Sequence, residues 1–329
     1  MLKKLGTCVG ILMAVMVIIY AFGPKPTYVE LSPEIYDSSF EITAVESFIQ
    51  NRETNAANLK PDNEARIQWA GAPAEQTEFA IVYLPGFTAT YFEASPLPEN
   101  LAKKYGMNLF YARIHGHGID DIDALKGVDP SQFLESAKEA IAIGKTLGKK
   151  VILMACSTGA TYATYLAGKD PKIESLILLS PNFALYDSRT QLIDGPWGKQ
   201  IMKFMIGSEY REIDYTEQLA KYWSPKYHID AIIALQYLLE NTMTEEVYKQ
   251  VNQKLFIGCY YTTEENQDKV VSVEEMRNMY SKVSTPSNHK KFVEFDKVGN
   301  HIIACPAVSK DVQSVELAVD AFIRNIIQP

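Results

Sequence analysis

Ser157 stands where an apolar run ends and a helix can begin. Val151-Ile152-Leu153-Met154-Ala155-Cys156 leads into it, and Thr158-Gly159-Ala160 leads out. A serine on a sharp strand-to-helix turn has backbone dihedrals that bring neighbouring chain into contact, so small residues are needed two before and two after it. Ala155 and Gly159 fill those positions in a variant of G-x-S-x-G. The helix that follows, with Tyr162, Tyr165 and Leu166, would place its first amide and its positive end beside the serine oxygen. The chemistry such a constellation suits is nucleophilic attack on a carbonyl. Taken alone the pattern is short, and its plain reading is an ordinary strand-to-helix turn.

A serine hydroxyl needs a base to take its proton. The chain has five histidines, of which only His301 lies just past the last apolar run and ahead of a final helix. The order nucleophile, acid, base along the chain puts the base there. The acid should follow the preceding strand, where Asp268 in Gln267-Asp268-Lys269-Val270-Val271 competes with Glu264, Glu265 and Asp296. Asp268 is preferred, because the apolar pair after it can pin its loop to the core. Its role would be to hold the His301 tautomer and stabilise the imidazolium.

Upstream, Ile81-Val82-Tyr83-Leu84 runs into Pro85-Gly86-Phe87. A turn of this kind can aim a backbone N–H at an oxyanion, so the amides of Phe87 and Thr158 are the expected pair of donors. His115 and His117, two apart in Arg113-Ile114-His115-Gly116-His117-Gly118, lack a third ligand nearby and suit support of the site's floor better than metal binding. Cys156 neighbours the apex residue of the turn and should point away from the site. No metal or cofactor is called for.

Stepping outward, the elements that must position these residues alternate. Apolar runs expected as strands are Ala65–Ala70, Phe79–Leu84, Asn108–Ile114, Lys150–Ala155, Ser175–Leu179, Lys254–Tyr260 and Lys291–Phe295. Helices are expected at Glu41–Asn51, after the Asp129-Pro130 cap, after the Ser272 capping box, and over a last stripe of Val312, Val315, Val319, Phe322 and Ile326. The pattern predicts a mostly parallel α/β sheet with helices on both faces. Pro181–Gln253 interrupts it with no clear strand and many aromatics, among them Tyr210, Tyr215, Tyr222, Trp223, Tyr227 and Tyr237. It reads as a helical cap.

Residues 1–23 read as a membrane anchor or signal segment, 24–35 as a linker, 36–181 as the first part of the core, 182–250 as the cap and 251–329 as the second part. Lys3 and Lys4 precede an uncharged stretch from Leu5 to Gly23. At the rise of a helix that stretch reaches ~28 Å, close to a bilayer's hydrocarbon core. The flanking charges predict an inside N-terminus with the body on the extracytoplasmic side. A cleaved signal fits less well, since Ala21-Phe22-Gly23 is followed by Pro24. The net charge of −8 gives no electrostatic footprint for nucleic acid. Four scattered cysteines make no disulfide framework, although Cys259 and Cys305 could bridge in an oxidising compartment.

With these residues in order, the chain resembles the α/β-hydrolase family, particularly its lipase, esterase and monoacylglycerol-lipase-like branches with a helical cap. The resemblance runs from Ala65 to Gln328 through the Leu84–Phe87 turn, the Arg113–Gly118 loop, Ser157, Asp268 and His301. It implies acyl transfer to water through an acyl-serine intermediate, without a cofactor, on a lipid-like or small acyl ester. Two positions depart from the family pattern: Pro85 where histidine usually precedes the oxyanion glycine, and Ala155 for the first elbow glycine. The alternatives are a peptidase of the prolyl-aminopeptidase type, a thioesterase, or an inactive hydrolase fold that binds a partner. For the peptidase, Glu209, Glu212, Asp214 and Glu217 of the cap could receive a free amine. The oligomeric state is left open.

Overall fold

The protein is described from a computed structural model that covers residues 13–35, 40–168 and 170–327. After helix α1 (Val45–Thr54) come β1 (Arg66–Gln68), β2 (Thr77–Leu84), α2 (Leu97–Tyr105) and β3 (Asn108–Tyr111). Then follow α3 (Pro130–Leu147), β4 (Gly148–Cys156), α4 (Thr158–Ala167) and β5 (Ile173–Leu179). The cap contributes α5 (Gly198–Ile206), β6 (Tyr210–Glu212), α6 (Glu217–Tyr222), β7 (Lys226–His228), α7 (Asp230–Thr242) and α8 (Glu245–Gln250). The core closes with β8 (Lys254–Tyr260), α9 (Val273–Lys282), β9 (Lys290–Phe295) and α10 (Val312–Ile327).

Seven strands form one sheet in the order β1-β3-β2-β4-β5-β8-β9. Only the edge strand β1 runs antiparallel to its neighbour. Strand residues alternate between two apolar layers, as the period of two requires. Val82, Leu84, Leu153 and Ala155 face Phe133 and Ile141 of α3 and Tyr162 of α4. Ile81, Tyr83, Ile152 and Met154 face Leu101 of α2 and Val315, Val319 and Ile323 of α10. Both layers are buried, which is why the central strands read as continuous apolar runs.

Local signals set the helix starts. The Asp129 side chain accepts from Ser131 N at 2.9 Å, and Gln132 reaches back to accept from Asp129 N at 3.0 Å. Ser272 accepts from Glu275 N at 3.1 Å and opens α9.

Four expectations need correction. The strand expected over Asn108–Ile114 stops at Tyr111, because the chain peels into the loop whose turns use Gly116 and Gly118 at positive φ. The expected first strand shrinks to Arg66–Gln68, since only those residues pair with β3. The cap is not all helical: β6 and β7 make a two-stranded antiparallel ribbon, too short to show a period in sequence. Residues 24–35, expected as a linker extending off the membrane, lie along the body. Tyr28 packs on Tyr237 with ring centres 4.8 Å apart, and Tyr165 donates to Leu31 O at 3.0 Å.

The expected membrane segment Leu5–Gly23 falls partly outside the described residues. Residues 13–21 are helical, and Met13, Val17, Ile18 and Ile19 are exposed. No helix among the described residues is long and apolar enough to cross a membrane.

Candidate active site

Ser157 sits between the end of β4 and the start of α4 at φ 50° and ψ −121°, a region that side chains adopt at a cost of about 1–3 kcal/mol. Its N–H donates to Leu179 O at 3.0 Å, and its carbonyl accepts from Asn182 N at 3.0 Å. These bonds tie the turn to the end of the neighbouring strand. Gly159 allows α4 to start against β2: a Cβ there would lie 2.1 Å from Leu84 O. Ala155 is fully buried within the sheet, so the departure from glycine at that position is accommodated.

His301 Nε2 lies 3.0 Å from Ser157 Oγ, and its Nδ1 lies 2.6 Å from Asp268 Oδ2. The other Asp268 oxygen accepts from Val270 N at 2.8 Å and Val271 N at 3.2 Å, which aims the carboxylate at the imidazole. Val271 is fully buried and pins this turn, while Val270 is half exposed. Burial works against a charged imidazole, but the Asp268 carboxylate and its hydrogen bond outweigh it, with Glu93 adding. The pKa of His301 therefore stands above its ordinary value. Glu264, Glu265 and Asp296 all face solvent. Glu264 accepts from Tyr261 Oη at 2.8 Å and does not reach the histidine.

The Leu84–Phe87 turn abuts the serine, since a Cβ on Gly86 would come 3.0 Å from Ser157 Cβ. Pro85 has no N–H, so the turn's first amide is that of Gly86, and it donates to Glu93 Oε1 at 2.5 Å. The Phe87 amide is the next along. Thr158, as the first residue of α4, has an amide with no intrahelical acceptor. His117, fully buried, braces the same turn: Thr88 N donates to its Nε2 at 3.2 Å, and its Nδ1–H donates to Ala89 O at 3.0 Å. Burial pushes the His117 pKa down to about 3. With both ring nitrogens engaged it has none left for a metal. His115 instead faces a cavity of about 820 Å³, lined also by Arg52, Arg113 and Glu139, that none of Ser157, Asp268 and His301 borders.

Two residues near the serine escaped the sequence analysis. Asn182 links Ser157 O to the Thr158 hydroxyl, to which its Nδ2 donates at 3.2 Å. Glu93 lies 1% exposed in the short 3-10 turn Tyr91–Glu93, and accepts from Tyr83 Oη at 2.9 Å as well as from Gly86 N. The only sequence trace of Glu93 is a single carboxylate after two aromatics, a pattern that exposed turns share.

The cap docks on the segment after the Leu84–Phe87 turn. Phe92 stacks on Tyr222 with ring centres 4.2 Å apart, and Tyr227 meets the Phe87 ring edge-on at 5.5 Å. These aromatics therefore pack cap to core. Glu209 pairs with Lys203 at 2.9 Å and Glu212 with Lys226, while Asp214 and Glu217 are exposed, so this charge run faces solvent and lysine partners. Cys156, Cys259 and Cys305 are buried free thiols, which removes the bridge between the latter two. Burial raises the Cys156 thiol pKa well above its ordinary value and disfavours the thiolate a nucleophile would need. Among the described residues no group of three or more His, Cys, Asp or Glu could hold a metal ion.

No family model matches the chain, and no curated protein matches it. Solved structures share its fold. A structure described with LipS and LipT, two metagenome-derived lipolytic enzymes, superposes with a TM-score of 0.64 over 81% of this chain and 99% of its own, at 15% identity. Est1E from Butyrivibrio proteoclasticus, with ferulic acid bound, gives 0.54 over 81% and 96%, also at 15% identity. The enol-lactonase from Burkholderia xenovorans LB400 gives 0.50 over 82% and 98%, at 13% identity. At such identities the likeness is one of fold.

Proposed function

We propose that this chain, whose fold is that of the α/β-hydrolases, is a serine hydrolase of carboxylic esters. The observation that carries the reading is the relay from Ser157 Oγ to His301 Nε2 at 3.0 Å and from His301 Nδ1 to Asp268 at 2.6 Å, with the serine held at positive φ. Ser157 attacks the ester carbonyl while His301 takes its proton, and Asp268 holds the Nδ1–H tautomer and balances the imidazolium. The amides of Phe87 and Thr158 hold the oxyanion, each being worth about 3 kcal/mol of barrier. His301 then returns the proton to the leaving alcohol. Water, activated by the same histidine, releases the acid from the acyl-serine.

Neighbours described as lipolytic enzymes, as a protein with ferulic acid bound and as an enol-lactonase support an ester substrate over an amide. The apolar N-terminal stretch fits a tether that holds the body at a membrane on the extracytoplasmic side, within reach of lipid-like esters. The test is to label the protein with a fluorophosphonate probe beside a Ser157→Ala variant, then offer p-nitrophenyl esters of rising chain length. Labelling and turnover in the wild type, both lost in the variant, are expected. A folded wild type that neither labels nor turns over any ester would overturn the reading.

A further inference from the structure

The active site holds a buried carboxyl that the relay does not use. Among the described residues Glu93 forms no ion pair with Lys or Arg, yet it is 1% exposed. Its Oε1 takes two hydrogen bonds, from the Tyr83 phenol at 2.9 Å and from the Gly86 amide at 2.5 Å. Its Oε2 has no hydrogen-bond partner in the structure, with only the weak Cys156 thiol beside the carboxyl. That oxygen is aimed at the oxyanion turn: a Cβ on Gly86 would meet it at 3.0 Å, the same distance at which it would meet Ser157 Cβ. An unpaired buried oxygen costs free energy comparable to a lost hydrogen bond. Such groups are retained where they serve something else.

We propose that Glu93 is a positioning residue of the reaction, which anchors the oxyanion turn through the Gly86 amide and couples the charge of that turn to His301. The proposal rests on the serine-hydrolase reading and adds a third ionisable group to it. Pro85 gives the geometry its sense. Without an amide at that position, Gly86 is the first handle on the turn, and Glu93 grips it so that the following amide, of Phe87, is presented to the substrate. The titratable groups that interact electrostatically with the carboxyl come from several elements. They are Tyr83 from β2, Cys156 from β4, Tyr215 from the cap, and His301 and Cys305 from the segment after β9. None but His301 can carry positive charge. Burial pushes the Glu93 pKa up to about 7, against the opposing pull of the Gly86 amide and the Tyr83 phenol, so the carboxyl changes charge in the range where His301 works.

The experiment separates grip from charge. Glu93→Ala removes both, and kcat should fall about tenfold with KM little changed, as a slackened donor misplaces the hole without altering substrate binding. Glu93→Gln keeps an oxygen to accept from Gly86 and Tyr83, so kcat should return. Its acid limb, however, should move to lower pH, because an anion that raises the His301 pKa has gone. Tyr83→Phe, a milder change in the same pocket, should move the limb the same way by making the carboxyl harder to ionise. The His301 imidazole titration, followed by NMR in a Ser157→Ala background with and without Glu93→Gln, reads the coupling without any turnover. A Glu93→Ala enzyme with wild-type kcat, or imidazole titrations that superimpose, would overturn the proposal. Loss of fluorophosphonate labelling by Ser157 in the wild type would instead strike the hydrolase reading, and the imidazole titration would still report on the coupling.

Discussion

Ser157 is kept in a strained conformation by bonds made to its own backbone, to Leu179 O and from Asn182 N, and its side chain is left free to face His301. The same division of labour applies to Asp268. One oxygen is fixed by the Val270 and Val271 amides, and the other is spent on the histidine. An Asp268→Asn variant keeps this shape but loses the charge and favours the wrong imidazole tautomer. Turnover of a p-nitrophenyl ester should fall roughly 10⁴-fold. The sign of its pH effect follows from the cause: the carboxylate raises the His301 pKa, so the residual activity should persist to lower pH than in the wild type. Glu264→Gln, on a solvent-facing carboxylate, should leave both rate and profile unchanged. If Glu264→Gln were the damaging change and Asp268→Asn the silent one, the acid would be misassigned.

At the scale of elements, the close approach of α4 to β2 puts Ser157 beside the Leu84–Phe87 turn, and Gly159 sets that approach. In Gly159→Ala the new methyl would sit 2.1 Å from Leu84 O and 2.8 Å from Pro85 O, both backbone atoms at the turn itself. The helix must retreat, which should cost about 1–3 kcal/mol in thermal or denaturant unfolding and lower kcat more than it raises KM. Wild-type unfolding together with wild-type kcat would show that the approach has slack. The sequence disclosed this part of the molecule well, since a strand covered on both faces is written as an unbroken apolar run, and Ser157 follows one of them directly. It disclosed β6 and β7 poorly, because three residues carrying Tyr, Arg, Lys and His show no alternation. Helix α2 was not foreseen. Its apolar residues Leu97, Leu101 and Ala102 are interleaved with Pro98, Glu99 and two lysines, and only packing against β2 and β3 reveals its inner face. Likewise Ser157, Asp268 and His301 each sit in a local context that points to them, whereas Glu93 is defined by a fold-level contact with Gly86, seven residues earlier in the chain, and with Tyr83.

For the molecule as a whole, the densest run of exposed large apolar side chains among the described residues lies between Met13 and Phe22. Residues 13–21 form a helix with Val17 and Ile18 exposed, followed by Phe22, and the cap adds Leu192 and Phe204, the last 90% exposed. Trp197, which opens α5, ties the two together, with its Nε1 donating to Ile19 O at 3.0 Å and its N–H donating to Pro24 O at 2.7 Å. A chain of net charge −8 is not drawn to anionic lipid, so attachment at this surface should come from apolar burial and not from electrostatics. The full chain is therefore expected to float with neutral phosphatidylcholine vesicles, and to do so equally at low and high salt. A chain starting at Pro24 should lose flotation. It keeps the docked stretch through Tyr28 and Leu31, and should hydrolyse a short soluble ester at the wild-type rate. Its activity on a long-chain ester presented in vesicles should fall, because only the tethered enzyme meets that substrate at the surface. Flotation that survives removal of residues 1–23, or that vanishes in high salt, would locate the membrane contact elsewhere or make it electrostatic.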